Sequence, residues 1–344
     1  MGYEDSLPFF GMLMVILIQV GNMEVSQVAM SAGMNKYVLA VYSNALSTLI
    51  LLPLSFICCR SQRPRPVTFS ILCRIFLLAL IGCSGQILEY AGIQYSSPTL
   101  GTAMLNLIPA FTFILAIIFR MEKLEWSSSS SQAKLLGTIV SITGASVVTF
   151  YKGPPIMMTP SSSQLLLSPQ SSWILGGILL TADAFSYSAW YIVQASILKI
   201  YPAVLVILFH MFFYYTILSA VFTLIIVRDP DAWRLRLDIG LVSILYTGVV
   251  SSVLRGSLST WCLSRTGPLF CSMFKPVAII FAVVVDVFLG DVLCLGSVIG
   301  AAITVVGFYA VMWGKAKEEK MYIDSGVVSF GSSSKKIPLL QNTE

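Results

Sequence analysis

Residues 99–119 read TLGTAMLNLIPAFTFILAIIF, an apolar stretch of 21 residues without a charged side chain. Such a stretch can cross a bilayer as a helix, which takes about 20 residues. The whole chain has a matching composition, because 56% of its 344 residues are hydrophobic and only 11% are charged, against roughly 25% charged in soluble domains. Lipid penalises charge and requires no polar surface. We therefore predict an integral membrane protein, which excludes soluble enzymes and nucleic-acid-binding domains.

Similar apolar runs recur along the chain. They predict an all-α membrane protein with ten transmembrane helices, near 8–30, 37–58, 71–93, 99–119, 134–151, 173–194, 202–227, 239–261, 268–288 and 293–313. The first run follows the acidic Glu4 and Asp5 and ends without a small-residue cleavage site, so we interpret it as a retained helix. Short loops keep Lys and Arg on the cytoplasmic side. With ten spans, both termini lie on the same side of the membrane, and the loops on that side hold most of the Lys and Arg residues. We therefore predict that both termini are cytoplasmic.

The stretch around Pro109 has a counterpart later in the chain. Pro276 lies 167 residues after Pro109, again inside an apolar run. Further pairs recur at offsets of 166 and 163 residues, namely Gly82 with Gly248, Glu89 with Arg255, Gly137 with Gly300 and Gly144 with Gly307. The chain is thus predicted to consist of a five-helix unit that occurs twice. An odd number of spans inverts the second copy in the membrane, an architecture of many transporters.

This repeat sets the predicted domain organisation. The first five-helix repeat covers 1–151, a non-cytoplasmic linker covers 152–172, the second repeat covers 173–314, and a disordered cytoplasmic tail covers 315–344. Two opposed halves around a midplane cavity can expose it to either side by rocking, which is the main argument for transport. Small residues at helical spacing, namely Gly137, Ser141 and Ala145 in the fifth helix and Gly296 and Gly300 in the tenth, predict a face on each of these helices where another helix can approach closely.

Several motifs together resemble a known family. The run from Trp261 through Gly267-Pro268 to Met273-Phe274-Lys275-Pro276 resembles the ninth-helix signature of plant drug/metabolite transporters of the EamA-like type, the nodulin-21-like, Walls-Are-Thin-related or UMAMIT proteins. Leu136-Gly137-Thr138 and Leu295-Gly296-Ser297 are similar to further motifs of that family. The resemblance implies two EamA-like halves and substrates among amino acids, auxin and related small metabolites, moved by facilitated export or bidirectional transport.

Charged residues at membrane depth are the leading candidates for a binding site, because each is costly there unless paired or hydrated. Lys275 directly precedes Pro276, where the missing backbone hydrogen bond frees a carbonyl group, and its ammonium group can bind a substrate carboxylate. The alternative is that Lys275 extends to the nearer membrane surface. Pro109 and Pro276 are both candidate helix breaks.

Glu89 and Arg255 occupy equivalent places in the two repeats. They either form an ion pair, or contact separately the amino and carboxyl groups of an amino acid; a purely structural pair is an equal alternative. Asp183 is either a cavity residue or a buried carboxylate bound to a neighbouring helix. The remaining predicted cavity residues are polar or aromatic, namely Asn106, Gln86, Trp190, Gln194, Trp261, Gln19 and Asn22.

A rival enzymatic interpretation starts from Gly82-Cys83-Ser84-Gly85, which matches the G-x-S-G string of intramembrane serine proteases, with His210 as the base. Small residues that pack helices produce such strings easily, so this alternative is remote. The seven cysteines show no Cys-x-x-Cys spacing and no phosphate-binding loop is present. We therefore predict no catalytic residue, metal or cofactor.

The apolar runs and the repeat predict a multi-pass membrane transporter. The family resemblance implies that its substrates are small metabolites, most simply amino acids, with auxin or another small organic acid as the alternative. Its expected partners are a small-molecule substrate and the lipid bilayer, without nucleic acid. Leu339-Leu340 in the tail is a possible signal for sorting machinery. We expect residence in the plasma membrane, with the vacuolar and endoplasmic-reticulum membranes as alternatives.

Overall fold

The computed structural model describes residues 3–62, 66–95, 104, 106–121, 129–151, 170–235, 238–278, 281 and 295–324. Most of the predicted linker, residues 325–344 of the predicted tail and Leu339-Leu340 lie outside the described residues.

Helices make up nearly all of the part of the chain that the structure describes, and no β-strand occurs in it. The helices are α1 (Tyr3–Ser31), α2 (Lys36–Gln62), α3 (Phe69–Tyr95), α4 (Ile108–Ile118), α5 (Ser129–Phe150), α6 (Gln170–Ile200), α7 (Val204–Ile226), α8 (Ile239–Leu245), α9 (Gly256–Thr266), α10 (Pro268–Met273) and α11 (Leu295–Asp324). A π-helical segment, Tyr246–Arg255, joins α8 to α9, and a short 3₁₀ turn covers Pro230–Trp233.

Five of these helical stretches are long and apolar enough to cross a membrane: Leu7–Ser31, Lys36–Cys58, Phe69–Glu89, Val204–Ile226 and Ile239–Thr266. Two shorter apolar helices are Ile108–Ile118 and Val298–Gly314. The chain is therefore an all-helical integral membrane protein. Each of the ten predicted spans overlaps a described helix, while their number as membrane crossings stays a prediction.

Helix α11 corrects one predicted boundary. We expected disorder from residue 315 onward, but α11 continues to Asp324. The added turns carry Lys, Ala, Glu and Met, which are strong helix formers. These propensities explain why the helix continues beyond its apolar part.

The helices pack in a defined set of pairs. Helix α3 lies against α6, α2 lies against α7, and α5 lies against α11. The stretch from α8 through the π-helical segment to α9 packs against α1, and α4 packs on α6. A large apolar core joins residues of α1, α6 and α7, including Ile16, Ile197 and Ile207. This arrangement surrounds a central space between the helices.

Glycine allows α5 and α11 to approach to backbone contact. A Cβ atom added at Gly137 would lie 2.7 Å from the carbonyl oxygen of Gly307, and one added at Gly144 would lie 2.8 Å from that of Gly300. Small residues permit this close approach in lipid. The earlier glycine of α5 meets the later glycine of α11, and the later one meets the earlier, so the two helices run antiparallel.

The helices around the two prolines are interrupted. Asn106 and Leu107 form a turn before α4, with Pro109 in its first turn, and Phe274, Lys275 and Pro276 form a turn after α10. In the second turn, the Lys275 N–H donates to the Ser272 carbonyl, three residues back. Proline cannot supply the helical N–H, which explains a break at Pro276. Helix breaks bring polar backbone to membrane depth, where it must line a cavity or be buried.

Candidate functional site

A central cavity of about 470 Å³ lies between the helices. Its wall is built from α1, α2, α3, α6, α7, α9, the π-helical segment, the first residue of α4 and the two turns beside Pro109 and Pro276. Small-molecule sites in proteins have volumes of about 300–1,000 Å³. The cavity therefore has room for one small metabolite.

Lys275 is the best-anchored polar residue of this cavity. Its Nζ atom donates hydrogen bonds to Oε1 of Gln19 in α1 and to Oη of Tyr187 in α6, both at 3.0 Å. The same Nζ lies 4.3 Å from the centre of the Tyr187 ring, within the range of a cation–π contact. The side chain thus points into the cavity rather than to the membrane surface.

The charge of Lys275 is held by neutral groups. Among the described residues, no carboxylate forms an ion pair with its ammonium group, although Glu89 and Asp183 line the same cavity. Two of its three N–H donors are used by the amide oxygen and the phenol oxygen. Such a cation can accept a carboxylate as a further, stronger partner, because charge-assisted hydrogen bonds are about twice as strong as neutral ones.

Two acidic residues lie on neighbouring helices of the wall. Asp183 in α6 is only 3% exposed, and its Oδ1 atom would lie 3.0 Å from a Cβ atom added at Gly85 of α3. Glu89 follows Gly85 by one helical turn and also lines the cavity. Gly85 therefore makes room for the Asp183 carboxylate beside the face that carries Glu89.

Arg255 ends the π-helical segment and lines the cavity. Its Nε atom donates to the carbonyl oxygen and to the hydroxyl of Ser251, both at 3.1 Å. The ion pair that we considered between Glu89 and Arg255 is wrong for this structure, since no such pair joins these two described residues. The bonds to Ser251 direct the guanidinium group along its own helix instead.

Two amide side chains add unpaired polar atoms. Asn106, in the turn before Pro109, is 2% exposed, and its Nδ2 atom has no hydrogen-bond partner among the described residues. Oδ1 of Asn22 in α1 is also buried without a partner in the described part of the chain. Both residues line the cavity. A buried unsatisfied polar atom is costly and calls for an explanation, such as a ligand.

The structure brings together nine of the predicted cavity residues: Gln19, Asn22, Gln86, Glu89, Asn106, Asp183, Trp190, Arg255 and Lys275. Two others do not line the cavity. Gln194 is buried and donates to Thr260 at 3.0 Å, and Trp261 is half-buried with the Arg265 guanidinium 6.0 Å from its ring. The predicted helix breaks, Pro109 and Pro276, flank the cavity through the two turns.

Sequence reasoning missed much of the aromatic and hydroxyl lining. Phe212 and Tyr215 face the cavity from α7, and Ser251 and Ser252 face it from the π-helical segment. The internal repeat could have indicated most of them, because lining residues of one half lie at a constant offset from lining residues of the other half.

The lining residues pair at constant offsets between the two halves. In α1, α2, α6 and α7, the offset is 168 residues and pairs Gln19 with Tyr187, Asn22 with Trp190, Ala40 with Leu208, Ser43 with Met211 and Asn44 with Phe212. In α3 and the π-helical segment, it is 166 residues and pairs Ile81 with Thr247, Gly85 with Ser251, Gln86 with Ser252 and Glu89 with Arg255. Ile108 pairs with Lys275 at 167.

One hydrogen bond joins a residue to its own counterpart. Thr48 in α2 and Thr216 in α7 are also 168 residues apart, and their hydroxyl groups lie 3.1 Å from each other. Two residues that are related by a two-fold axis can contact each other only if both lie next to that axis. The cavity wall thus has an approximate two-fold symmetry that relates the two halves of the chain.

Comparison with known proteins gives the family. Residues 9–150 match the model of the EamA-like transporter family. WAT1-related protein At5g40210 of Arabidopsis thaliana is 44% identical over 98% of this chain and 97% of its own length. WAT1-related protein At5g40240 of the same plant is 42% identical over 94% and 90%. The chain belongs to the WAT1-related, EamA-like transporters.

A solved crystal structure supports the fold of this transporter. It superposes with a TM-score of 0.66 and covers 91% of this chain and 99% of the other, at 13% sequence identity. Identity this low supports the fold alone.

Membership in this family means that the chain is a membrane transporter of small metabolites and not an enzyme. The protease alternative is accordingly wrong, and the geometry explains why. Ser84 is exposed and donates to the Ile81 carbonyl at 2.8 Å, while His210 Nδ1 lies 2.8 Å from the Val206 carbonyl oxygen. Each side chain bonds to its own helix, so no Ser–His pair forms.

Proposed function

We propose that this transporter moves amino acids across the membrane by alternating access, in facilitated export or bidirectional transport. The observation that carries the proposal is the Lys275 ammonium group, which faces the cavity and is bonded only to neutral groups among the described residues. A substrate carboxylate is the partner that this cation lacks.

The ammonium group of an amino acid requires an anionic partner in the same cavity. Glu89 and Asp183 supply two carboxylates on adjacent helices. Together with Lys275 and Arg255 they give the wall equal numbers of formal positive and negative charges. This balance favours a zwitterion, because a substrate of zero net charge leaves the electrostatics of the cavity unchanged on binding.

The two halves contribute different chemistry at equivalent places. At five of the paired positions the first half supplies amides and a carboxylate, namely Gln19, Asn22, Asn44, Gln86 and Glu89. The second half supplies three aromatic side chains, a serine and a cation there, namely Tyr187, Trp190, Phe212, Ser252 and Arg255. A bound amino acid is thus oriented, with its ammonium group towards Glu89 and the neighbouring Asp183 and its carboxylate towards Lys275.

The proposed architecture is ten helices in two inverted five-helix repeats. The paired lining positions, the Thr48–Thr216 contact and the antiparallel packing of α5 on α11 all support it. In such transporters the substrate lies near the midplane at the repeat interface, beside discontinuous helices. The turns at Asn106 and Lys275 match that description.

A second candidate substrate is auxin or another aromatic carboxylate. It is favoured by the aromatic side chains Tyr187, Trp190, Phe212 and Tyr215 on the second-half wall, because an indole ring can stack there while its carboxylate binds Lys275. We also propose a plasma-membrane location with both termini cytoplasmic, which the distribution of Lys and Arg supports.

The test is flux through purified protein reconstituted in liposomes. Radiolabelled amino acids and indole-3-acetic acid are supplied separately, each with and without an excess of unlabelled compound. Saturable uptake of amino acids supports the proposal, and uptake of indole-3-acetic acid alone supports the second candidate. No saturable flux of either class, from protein shown to be folded, overturns both.

A further inference from the structure

Lys275 connects the two halves of the transporter. Gln19, which accepts one of its hydrogen bonds, belongs to α1 in the first half. Tyr187, which accepts the other, belongs to α6, and both α6 and Lys275 lie in the second half. The bond to Gln19 therefore crosses between halves, whereas the bond to Tyr187 stays within one half.

We infer that the Lys275–Gln19 bond is a latch that hinders reorientation of the carrier without substrate, so that the protein exchanges substrates faster than it releases them in net flux. This inference rests on the proposed function, and it concerns the mode of transport rather than the substrate.

Reorientation of the carrier changes the geometry of the Lys275–Gln19 bond. Alternating access requires one repeat or bundle to rock against the other around the site. A hydrogen bond between α1 and the turn at Lys275 spans that boundary, so rocking stretches or breaks it. The ammonium group would then keep only Tyr187 in a cavity that offers it no ion pair among the described residues.

The substrate carboxylate and the Gln19 amide oxygen compete for the Lys275 ammonium group. A substrate carboxylate binds an ammonium group more strongly than an amide oxygen does. It therefore replaces Gln19 as a partner and travels with Lys275, so the loaded carrier reorients without losing a charge-assisted hydrogen bond. The carrier without substrate has no such replacement, and its reorientation is slower.

Gln19 and Tyr187 provide a matched pair of variants. Gln19 and Tyr187 occupy equivalent positions, 168 residues apart, and each accepts one hydrogen bond from Lys275 at 3.0 Å. Gln19→Leu removes the bond between halves at similar side-chain volume. Tyr187→Phe removes the bond within one half and keeps the ring below the ammonium group.

The experiment uses liposomes that contain the full-length protein and a radiolabelled mixture of the standard amino acids. Efflux is measured into buffer alone, which reports net release, and into buffer with the unlabelled mixture, which reports exchange. We expect exchange to exceed net release by about tenfold or more in the wild type, the factor that loss of a charge-assisted hydrogen bond brings.

The variants separate the latch from a general role in binding. Gln19→Leu should bring the ratio of exchange to net release close to one by accelerating net release, and Tyr187→Phe should leave the ratio at the wild-type value. Gln19→Glu, which gives the ammonium group an anionic acceptor, should slow net release further. This third variant keeps the test decisive if Gln19→Leu does not fold.

Specific outcomes overturn the inference. A wild-type ratio of one overturns it, as does a ratio that Gln19→Leu and Gln19→Glu leave unchanged, or an equal fall in the ratio for Gln19→Leu and Tyr187→Phe. A wild type that carries no amino acid in either direction is a different result, because it refutes the proposed function itself.

Discussion

Gln19 and Tyr187 lie at equivalent positions in the two halves of the chain, and both accept a hydrogen bond from the ammonium group of Lys275. One lysine thus lies between two symmetry-related positions at the edge of the cavity. Because the symmetric wall carries unlike side chains, the paired positions offer amides and the Glu89 carboxylate from the first half and aromatic groups and Arg255 from the second half, which also carries Lys275 and Asp183. This asymmetry within a symmetric scaffold is the basis of the proposed recognition of a zwitterion.

Glu89→Gln should weaken the binding of amino acids about tenfold, because the ammonium group of the substrate loses a charged partner. Carboxylates of the same shape without the amino group should bind the variant as well as they bind the wild type. Competition of both compound classes against labelled amino-acid uptake measures this difference. Glu24→Gln is the matched control, since Glu24 lies in α1 outside the cavity lining. Equal losses for both classes would contradict the assignment of Glu89 to the ammonium group.

Asn106→Leu should lower transport and raise stability. The Nδ2 atom of Asn106 is buried and finds no partner among the residues that the structure describes, and an unsatisfied polar group of this kind costs about 1–3 kcal/mol. Thr112→Val is the control, because the Thr112 hydroxyl in α4 is likewise buried without a described partner but lies away from the cavity. It should raise the Tm in detergent and leave transport unchanged. Full transport by Asn106→Leu would show that this amide does not serve the substrate.

Gly137→Ala should destabilise the fold, because the new methyl group would meet backbone atoms of α11 at 2.7–2.8 Å. Overpacking of this kind costs about 1–3 kcal/mol, which a lower Tm in detergent would report. Gly256→Ala is the matched control, since its added Cβ atom meets only side chains at an ordinary 3.8 Å. An unchanged Tm for Gly137→Ala would mean that α5 and α11 do not pack this closely.

Ser84→Ala should leave transport at the wild-type level. The Ser84 side chain is exposed and bonds only within α3, to the Ile81 carbonyl oxygen. Uptake of amino acids at equal amounts of folded protein is the measurement. A large loss of uptake would reveal a role for this serine that its contacts do not explain.

The all-helical membrane fold was accessible from sequence, and so were the constant offsets on which the proposed repeat rests, for clear physical reasons. Prolines and glycines act through the backbone, so Pro109 and Pro276, or Gly137 and Gly300, keep their identity in both halves and expose the offset. The residue offset that relates α1 and α2 to α6 and α7 was not predicted, because pairs such as Gln19 with Tyr187 share a position in the wall but no side-chain chemistry.

The rotation of individual helices was harder to predict. Helices in lipid are apolar on nearly all sides, so no amphipathic stripe tells which face turns inward. Gln194 and Trp261 were therefore expected in the cavity but lie outside it. The π-helical segment Tyr246–Arg255 was missed for a related reason, because a continuous apolar run does not distinguish a π-helix from an α-helix.

The most direct test of the central claim is uptake by Lys275→Met, which keeps the length of the side chain and removes its charge. We predict that saturable uptake of labelled amino acids into liposomes falls at least about tenfold, while folded protein is recovered in normal amounts. Lys199→Met, at the exposed end of α6, should transport like the wild type. Wild-type uptake by Lys275→Met would contradict the account, because the proposal places the substrate carboxylate on the Lys275 ammonium group.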